Sequence, residues 1–400
     1  MGPSHLCFPP TRDAGLARLA DFAPRAGRAY AAGRNIDDGP ENEGAISRLS
    51  PYVRYRLITE REIVAAVLSR HDLPAAGQFV REVLWRTYWK GWLEMRPAVW
   101  SRFLEERDQQ RQEFSDVRAL ADAEGGATGI EGFDDWAREL VATGYLHNHA
   151  RMWFASIWIF TLRLPWTLGA DFFLRHLLDA DAASNTLSWR WVAGLQTVGK
   201  TYLATTDNIA RCTNGRFAPK GLAEVAVALT EAPVPPAREV PSLARPVTGE
   251  PSMLLVSHED LHPESLLFPE VPIAAALVVV DGGLLWGEGA RAFVASAAAD
   301  TATRLAAHFA CPVEIATRFD AAALLAAARA AGVRQIVTPS APVGPVAEAL
   351  AAIAPILRQD GIELVPMRRS WDDRFWPEAK KGFFALNQCI PALLRDEGLS

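Results

Sequence analysis

The sequence predicts an all-helical domain followed by a doubly wound parallel α/β sheet, and three observations carry that expectation. At 400 residues the chain is longer than one hydrophobic core usually serves, so two domains are expected. Half of the residues are hydrophobic and 22% are charged, which is the composition of a folded chain rather than a disordered or fibrous one. The apolar period then changes from helical to strand-like across a proline-rich stretch past the middle of the chain.

From Leu16 to about Leu203 the pattern is helical. Apolar-periodic stretches at Ile58–Leu68, Ala76–Leu93, Phe133–Thr143 and Asn148–Leu162 are separated by polar or Gly/Pro breaks. Residues Ala232–Pro251 (APVPPAREVPSLARPVTGEP) lack an apolar period and read as a linker. After it come short β-rich runs at Met253–Ser257, Ile273–Val280, Pro312–Ala316, Gln335–Thr338 and Glu363–Val365. Alanine-rich helices lie between them at Arg291–Phe309, Ala321–Ala331 and Pro345–Gln359. Strands alternating with helices of this length argue for a parallel, five-stranded, doubly wound sheet. The expected division is a helical domain over 1–230, a linker over 231–251, an α/β domain over 252–370 and a helical extension over 371–400.

Composition excludes several classes. The longest uncharged apolar runs, near Trp153–Leu162 and Val271–Val280, fall well short of a membrane-spanning helix. The first residues, MGPSHLCFPPTRD, contain no apolar stretch of the secretory kind. Cys7, Cys212, Cys311 and Cys389 lie far apart with no CxxC pair, which argues against a metal or iron–sulfur site and for reduced thiols. A cytoplasmic protein, monomeric and without a metal, is expected. The net charge of −6 carries no nucleic-acid signature by itself. Ten of the thirteen tryptophans lie between Trp85 and Trp191, more than helix packing alone asks for, although each one singly reads as a packing anchor.

Gly194–Thr201 (GLQTVGKT) fits the P-loop pattern GxxxxGK[ST], with Lys200 for the terminal phosphates and Thr201 for magnesium. Such a loop must follow a buried strand and open a helix. Here it follows Trp189-Arg-Trp-Val-Ala193, the end of a helical stretch, so a nucleotide triphosphatase is only a remote alternative.

Three segments place polar groups on helix faces where a core should be apolar. Glu82, Trp85, Arg86 and Trp89 fall on one stripe of the helix Phe79–Leu93. Asn148, Arg151, Met152 and Ala155 do the same on the helix that starts near His147. The third segment runs from Leu178 to Trp191, with Asp179 and Asp181 ahead of a helix that carries Asn185 and Trp189 at i, i+4. Arginine opposite paired aspartates is a common way to hold charge inside a domain, and a buried ion-pair network alone is one reading. Tryptophan, amide and methionine on the same faces point to a planar aromatic ligand.

These segments resemble the FAD-binding domain of DNA photolyases and cryptochromes. The matching stretches are Ala45-Ile-Ser-Arg-Leu-Ser-Pro-Tyr52, Phe79-Val-Arg-Glu-Val-Leu-Trp-Arg86, Thr143-Gly-Tyr-Leu-His-Asn-His-Ala-Arg-Met152 and Asp179-Ala-Asp-Ala-Ala-Ser-Asn185, followed by Trp189-Arg-Trp191. Gly15–Asn35 is similar to the helix that leads into that domain. The resemblance covers about residues 12–205. It implies that Tyr30, Ser47, Leu49, Ser50 and Arg86 hold the phosphates and ribityl chain of FAD, with Phe79 and Ile46 standing where a Trp and a Thr are usual. It places Asn148, Arg151, Asp179, Asp181 and Asn185 around the isoalloxazine, Asn185 facing N5. An amide there can donate to a bare nitrogen or accept from N–H.

The resemblance also implies a lesion pocket of Glu82, Trp85, Asn148, Met152 and Trp191. A flipped pyrimidine dimer needs aromatic walls in place of lost stacking and polar groups for its base edges. The Asn/Met pattern is similar to the cyclobutane-dimer class. Trp189 and Trp166 match the first two positions of a tryptophan electron relay, with Phe114, Trp153 or Trp158 open for the third. His149 stands where many members have Arg, and the segment after Trp191 (GKTYLATTDNIARCT) departs from the family's aromatic run.

The order of the halves departs as well, since the family's α/β antenna domain comes first. Met253-Leu-Leu-Val-Ser-His-Glu-Asp-Leu-His262 is similar to the opening of that antenna domain, so the expectation is a circular permutant. The implied function is light-driven, FAD-dependent repair of cyclobutane pyrimidine dimers, with UV-damaged DNA as partner. The alternative is a cryptochrome-like photoreceptor that signals to a protein partner. The antenna chromophore, whether folate, deazaflavin, second flavin or none, stays open.

Overall fold

The computed structural model describes residues 7–266 and 271–399. Helices α1 (Arg12–Phe22), α2 (Arg28–Gly33), α3 (Ser50–Arg54), α4 (Glu60–Leu68), α5 (Leu73–Glu94), α6 (Ala98–Glu113), α7 (Val117–Gly125), α8 (Phe133–Thr143), α9 (Asn148–Ser156), α10 (Trp166–His176), α11 (Ala182–Val192) and α12 (Thr206–Cys212) form the first half. Local chemistry sets their ends. Thr59 and Glu62 exchange side-chain and backbone bonds in a capping box that opens α4. Asp72 accepts from Ala75 N at 2.9 Å ahead of Leu73-Pro74 and starts α5. Gly144, at φ +69°, ends α8 in the left-handed region that a side chain avoids. The helix α9 runs on into a wide π turn at Ile157–Thr161.

The second half contains a five-stranded parallel sheet of β1 (Ser252–Ser257), β2 (Ile273–Val279), β3 (Val313–Ala316), β4 (Gln335–Pro339) and β5 (Glu363–Met367), in the order β3-β2-β1-β4-β5. Leu254 pairs with Ala276 on one side and Val337 on the other, and every residue of β1 is buried, as a central strand covered on both faces requires. The crossovers are α13 (Glu288–Phe309), α14 (Ala321–Ala330) and α15 (Pro345–Gln359), and the chain closes with α16 (Ser370–Phe375) and α17 (Phe383–Asp396). Strand order reverses between β1 and β4, the place where open sheets hold ligands.

That crevice faces the helical half. His258, Glu259 and Asp260, which follow β1, are all buried. The guanidinium of Arg54 donates to both Glu259 oxygens at 2.8 Å, and its Nε donates to Ala180 O at 2.6 Å. Arg56 donates to Asp372 at 2.6 Å, and Arg369 grips Asp260 at 2.6 and 2.7 Å. Beyond β4, Val343 N donates to Glu94 of α5 at 2.5 Å.

The segment from Leu229 through the proline-rich stretch is tied to both the helices and the sheet. Leu229 N bonds Ala193 O at 3.0 Å, Arg238 N bonds Met95 O at 3.0 Å, and Val247 N bonds the Gln335 side chain at 2.7 Å. Proline removes donors, so the few remaining N–H groups carry the docking.

Gly194–Thr201 follows helix α11 as a run of turns and leaves Lys200 exposed. The strand that a phosphate-cradling loop requires is replaced by a helix, which removes the triphosphatase reading.

Candidate functional site

A cavity of about 630 Å³ opens among α5, α9, α11 and the segment 46–50, within the range of small-molecule and cofactor sites. Helix α5 contributes Phe79, Glu82, Trp85 and Arg86 on one stripe, and α9 contributes Asn148, Arg151 and Met152. Asp179, Asn185, Trp189 and Trp191 come from the start and face of α11, while Ile46, Ser47, Leu49 and Ser50 approach from the other side with Tyr30 of α2. Residues scattered along the chain from Tyr30 to Val192 therefore share one enclosure.

One expected cofactor ligand stands outside this lining, and the expected relay residue Trp166 lies outside the cavity. Asp181 does not line the cavity; it accepts from Ser184 N at 2.7 Å as the N-cap of α11 and pairs with Arg86. Its role is to cap a helix and neutralise a guanidinium, both of which turn it away from a ligand. Trp166 lies outside the cavity, at the first position of α10, with its ring 5.6 Å from Phe103. The indole that meets Trp189 edge to face is Trp158, at 6.2 Å and 87°.

The polar end of the cavity is held by Arg151, which donates to both Asp179 oxygens at 3.1 and 3.0 Å and through Nε to Leu146 O at 3.0 Å. Burial opposes ionisation of Asp179, but Arg151 and Arg86, with the Ser50 hydroxyl, outweigh it and hold the carboxyl below the usual carboxylate range. Burial likewise opposes Asp181, and Arg86, Lys90 and Arg54 bring it down to about 2. Asn185 is anchored by donation from Nδ2 to Ala170 O at 2.8 Å. That bond leaves its carbonyl oxygen and second N–H for a ligand.

At the other end, Arg34 bonds Glu82 at 2.6 Å. Burial pushes the Glu82 carboxyl up, against the pull of Arg34 and Arg81. Trp85 and Trp191 stand as half-buried aromatic walls. Each is backed by a ring that the sequence reading did not single out. Phe383 of α17 stacks on Trp85 at 3.8 Å and 12°, and Tyr202 stacks on Trp191 at 5.6 Å and 29°. Arg34 could have been found, because it lies in the stretch Gly15–Asn35 already picked out. Phe383, nearly three hundred positions from Trp85, sends no local signal.

The lining suits a flavin nucleotide. It is apolar and aromatic over most of its surface, with one buried ion pair, one amide and several arginines at fixed places. Two buried polar atoms on its wall, Ser184 Oγ and Trp189 Nε1, have no hydrogen-bond partner within the protein, as expected of groups that face a bound molecule.

Residues 79–219 match the family model described as the FAD binding domain of DNA photolyase. The deoxyribodipyrimidine photo-lyase of Streptomyces griseus is 36% identical over 154 residues, 38% of this chain and 33% of that protein. That of Thermus thermophilus is 36% identical over 186 residues, 46% of this chain and 43% of that protein. The chain thus spans less than half the length of these relatives. A Synechocystis cryptochrome aligns structurally with 24% identity and a TM-score of 0.45, over 53% of this chain and 45% of that one. Residues 79–219 of the helical half are thus similar to the FAD binding domain of DNA photolyase, and FAD is the cofactor that this match assigns to the cavity.

Proposed function

We propose that the protein repairs cyclobutane pyrimidine dimers in DNA by a light-driven, FAD-dependent reaction. The observation that carries this reading is the shared cavity, which joins the Arg151–Asp179–Asn185 end to a second end built of Glu82, Trp85, Asn148, Met152 and Trp191. Bound FAD would supply a light-excitable electron donor. The protein's own residues hold, orient and exclude water.

Arg151 and Asp179 fix charge beside the ring system, and Asn185 offers an amide to its edge. Tyr30, Ser47, Leu49 and Ser50 line the portion of the cavity suited to the ribityl chain. Arg86 serves there as a cation already partnered by Asp181, a weaker phosphate ligand than an unpaired arginine would be. Trp85 and Trp191 give a flipped dimer the stacking it loses on leaving the duplex. Glu82, its carboxyl pushed up by burial, is suited to donate a hydrogen bond to a base carbonyl, and Asn148 reads the same edge. The strand order supports reading the second half as the antenna-like domain of a permuted chain, with its ligand crevice turned onto the helical half.

Purified, photoreduced protein mixed with single- and double-stranded oligonucleotides bearing one thymine dimer tests the reading. Light-dependent loss of the dimer, absent in the dark and in Trp191→Ala, is the expected result. Normal flavin photoreduction with the dimer untouched would move the protein to the second reading, a cryptochrome-like photoreceptor. One observation favours that alternative: His149 is engaged by Asn35 O at 3.1 Å and Tyr202 at 3.2 Å, and is therefore not free to meet a DNA phosphate.

A further inference from the structure

The histidine at position 149 and the altered segment after Trp191 meet at one point. Tyr202, in that segment, lies against Trp191 with ring centroids 5.6 Å apart and planes at 29°. Its hydroxyl is 3.2 Å from Nε2 of His149, whose Nδ1 is 3.1 Å from the carbonyl oxygen of Asn35. A carbonyl only accepts, so Nδ1 carries the hydrogen and Nε2 presents its lone pair. The phenol therefore donates to the imidazole. The arrangement is a hydroxyl, a base oriented by a third group, and a redox-active indole stacked on the phenol. The imidazole is itself stacked on Trp153 at 4.2 Å.

We propose that Tyr202 and His149 act as a proton-coupled electron donor that refills Trp191, giving the bound flavin a second light-driven reduction route besides the one through Trp189. The proposal rests on the reading of the cavity as the flavin site, which Trp191 lines. In the step, Trp191 would give one electron to the oxidised flavin when that flavin is bound and photoexcited. Tyr202 then gives one electron to the Trp191 cation while its phenolic proton passes to Nε2 of His149. The end state would be a neutral tyrosyl radical and an imidazolium, with the electron passed on to the bound cofactor, so charge and protons balance.

The surroundings suit both partners. Burial pushes the Tyr202 hydroxyl up to about 12, so the phenol keeps its proton until it is oxidised. Burial also lowers His149, with Arg34 and Arg211 adding to it against the Asn35 carbonyl and Asp37, so the ring is neutral and able to accept. Both groups stand on geometry that the Trp189 branch lacks: the buried Trp189 indole N–H has no hydrogen-bond partner among the described residues, so no side chain stands beside it in the place that His149 takes beside Tyr202.

The test is flash photolysis and electron paramagnetic resonance on the full-length, flavin-loaded protein with no added reductant. In Trp189→Phe, the expected result is light-driven flavin reduction that persists and a tyrosyl signal that forms more slowly in D₂O. Adding Tyr202→Phe, which keeps the stacked ring, removes the tyrosyl signal and shortens the charge-separated state. Adding His149→Phe instead, which keeps the contact with Trp153, leaves a tryptophanyl signal in place of the tyrosyl one. A tyrosyl signal unchanged by Tyr202→Phe, or loss of all photoreduction in Trp189→Phe, overturns the relay alone. Absence of flavin absorbance after gel filtration overturns the cavity reading and the relay with it.

Discussion

Removing the carboxylate of Glu259 should loosen the flavin-flanking turn from a domain away. Arg54 and Glu259 have side chains 1% and 8% exposed, and two bonds of 2.8 Å join them. The third guanidinium nitrogen of Arg54 holds Ala180 O, midway between Asp179 and Asp181. In Glu259→Ala, Arg54 keeps one carbonyl and faces Lys90, whose buried amine already lacks a partner and is lowered by burial and by Arg56. Breaking one side of a buried pair costs about 3–5 kcal/mol. Glu259→Gln retains an acceptor, and its cost is set by the lost charge-assisted bond, about 1.5–3 kcal/mol. The double replacement Arg54→Met with Glu259→Leu should recover much of the loss, since a well-packed apolar pair replaces a buried ion pair at little net cost. Urea unfolding followed separately by tryptophan fluorescence and by flavin release measures all three variants. If Glu259→Ala unfolds within about 1 kcal/mol of the parent and keeps its flavin equally well, the α/β half does not anchor the turn and the reasoning fails.

Other expectations follow from the same contacts. Burial, with Asp37 beside it, pushes Glu139 up to about 8. Its folded value lies above its unfolded one, so the stability it contributes is complete below about pH 4.5 and is lost as pH rises to about 8. Melting temperatures of Glu139→Gln should therefore fall less than the parent's between pH 5 and 8, and parallel curves would refute this. His147, lowered by burial to about 4, acts in the opposite sense, and replacing it with Asn should reduce the loss of stability between pH 6.5 and 4. A methyl group at Gly91 would come within 2.8 Å of the Trp376 backbone and 2.9 Å of its ring. Gly91→Ala should then cost about 1–3 kcal/mol by overpacking, read as a lower urea midpoint, and an unchanged midpoint would mean that the α5 contact yields. Phe383→Ala should raise the KM for dimer-bearing DNA more than it lowers kcat, because it frees the Trp85 wall without touching the flavin end, and equal changes in both would count against that role.

Periodicity alone carried the architecture. The helical stretches, the five strands and the three alanine-rich crossovers were legible because each buries a face, and burial imposes a period of 3.6 or 2 on the apolar positions. The stripes of α5, α9 and α11 were legible for the same reason in reverse: Glu82, Arg86, Asn148 and Arg151 break a face that packing would have made apolar. Capping chemistry was half legible. Asp181 was read as a ligand group because an acid two positions from another does not say which neighbour it serves, and only the fold brought Arg86 and Ser184 N to it. Trp166 was read from its place in a motif, whereas the rings that pack edge to face on Trp189 include Phe173 at 5.1 Å and Trp158 at 6.2 Å, because the π turn after α9 and the packing of α10 decide which rings meet.

The residues themselves thus determined a helical domain with polar and aromatic stripes fit for a planar ligand beside a parallel sheet, since those properties follow from local period and from the chemistry of a few side chains, and the resemblance of the motifs named that ligand as a flavin. Tertiary structure alone decided what stands behind that enclosure: Phe383 behind Trp85, Tyr202 and His149 behind Trp191, and Glu259 behind the Asp179–Asp181 turn. The reason is distance along the chain. Arg54 and Glu259 lie 205 positions apart, and even His149 and Tyr202 are separated by 53. Contacts at such separations leave no mark on local pattern, and they exist only once the helices and the sheet are laid against one another.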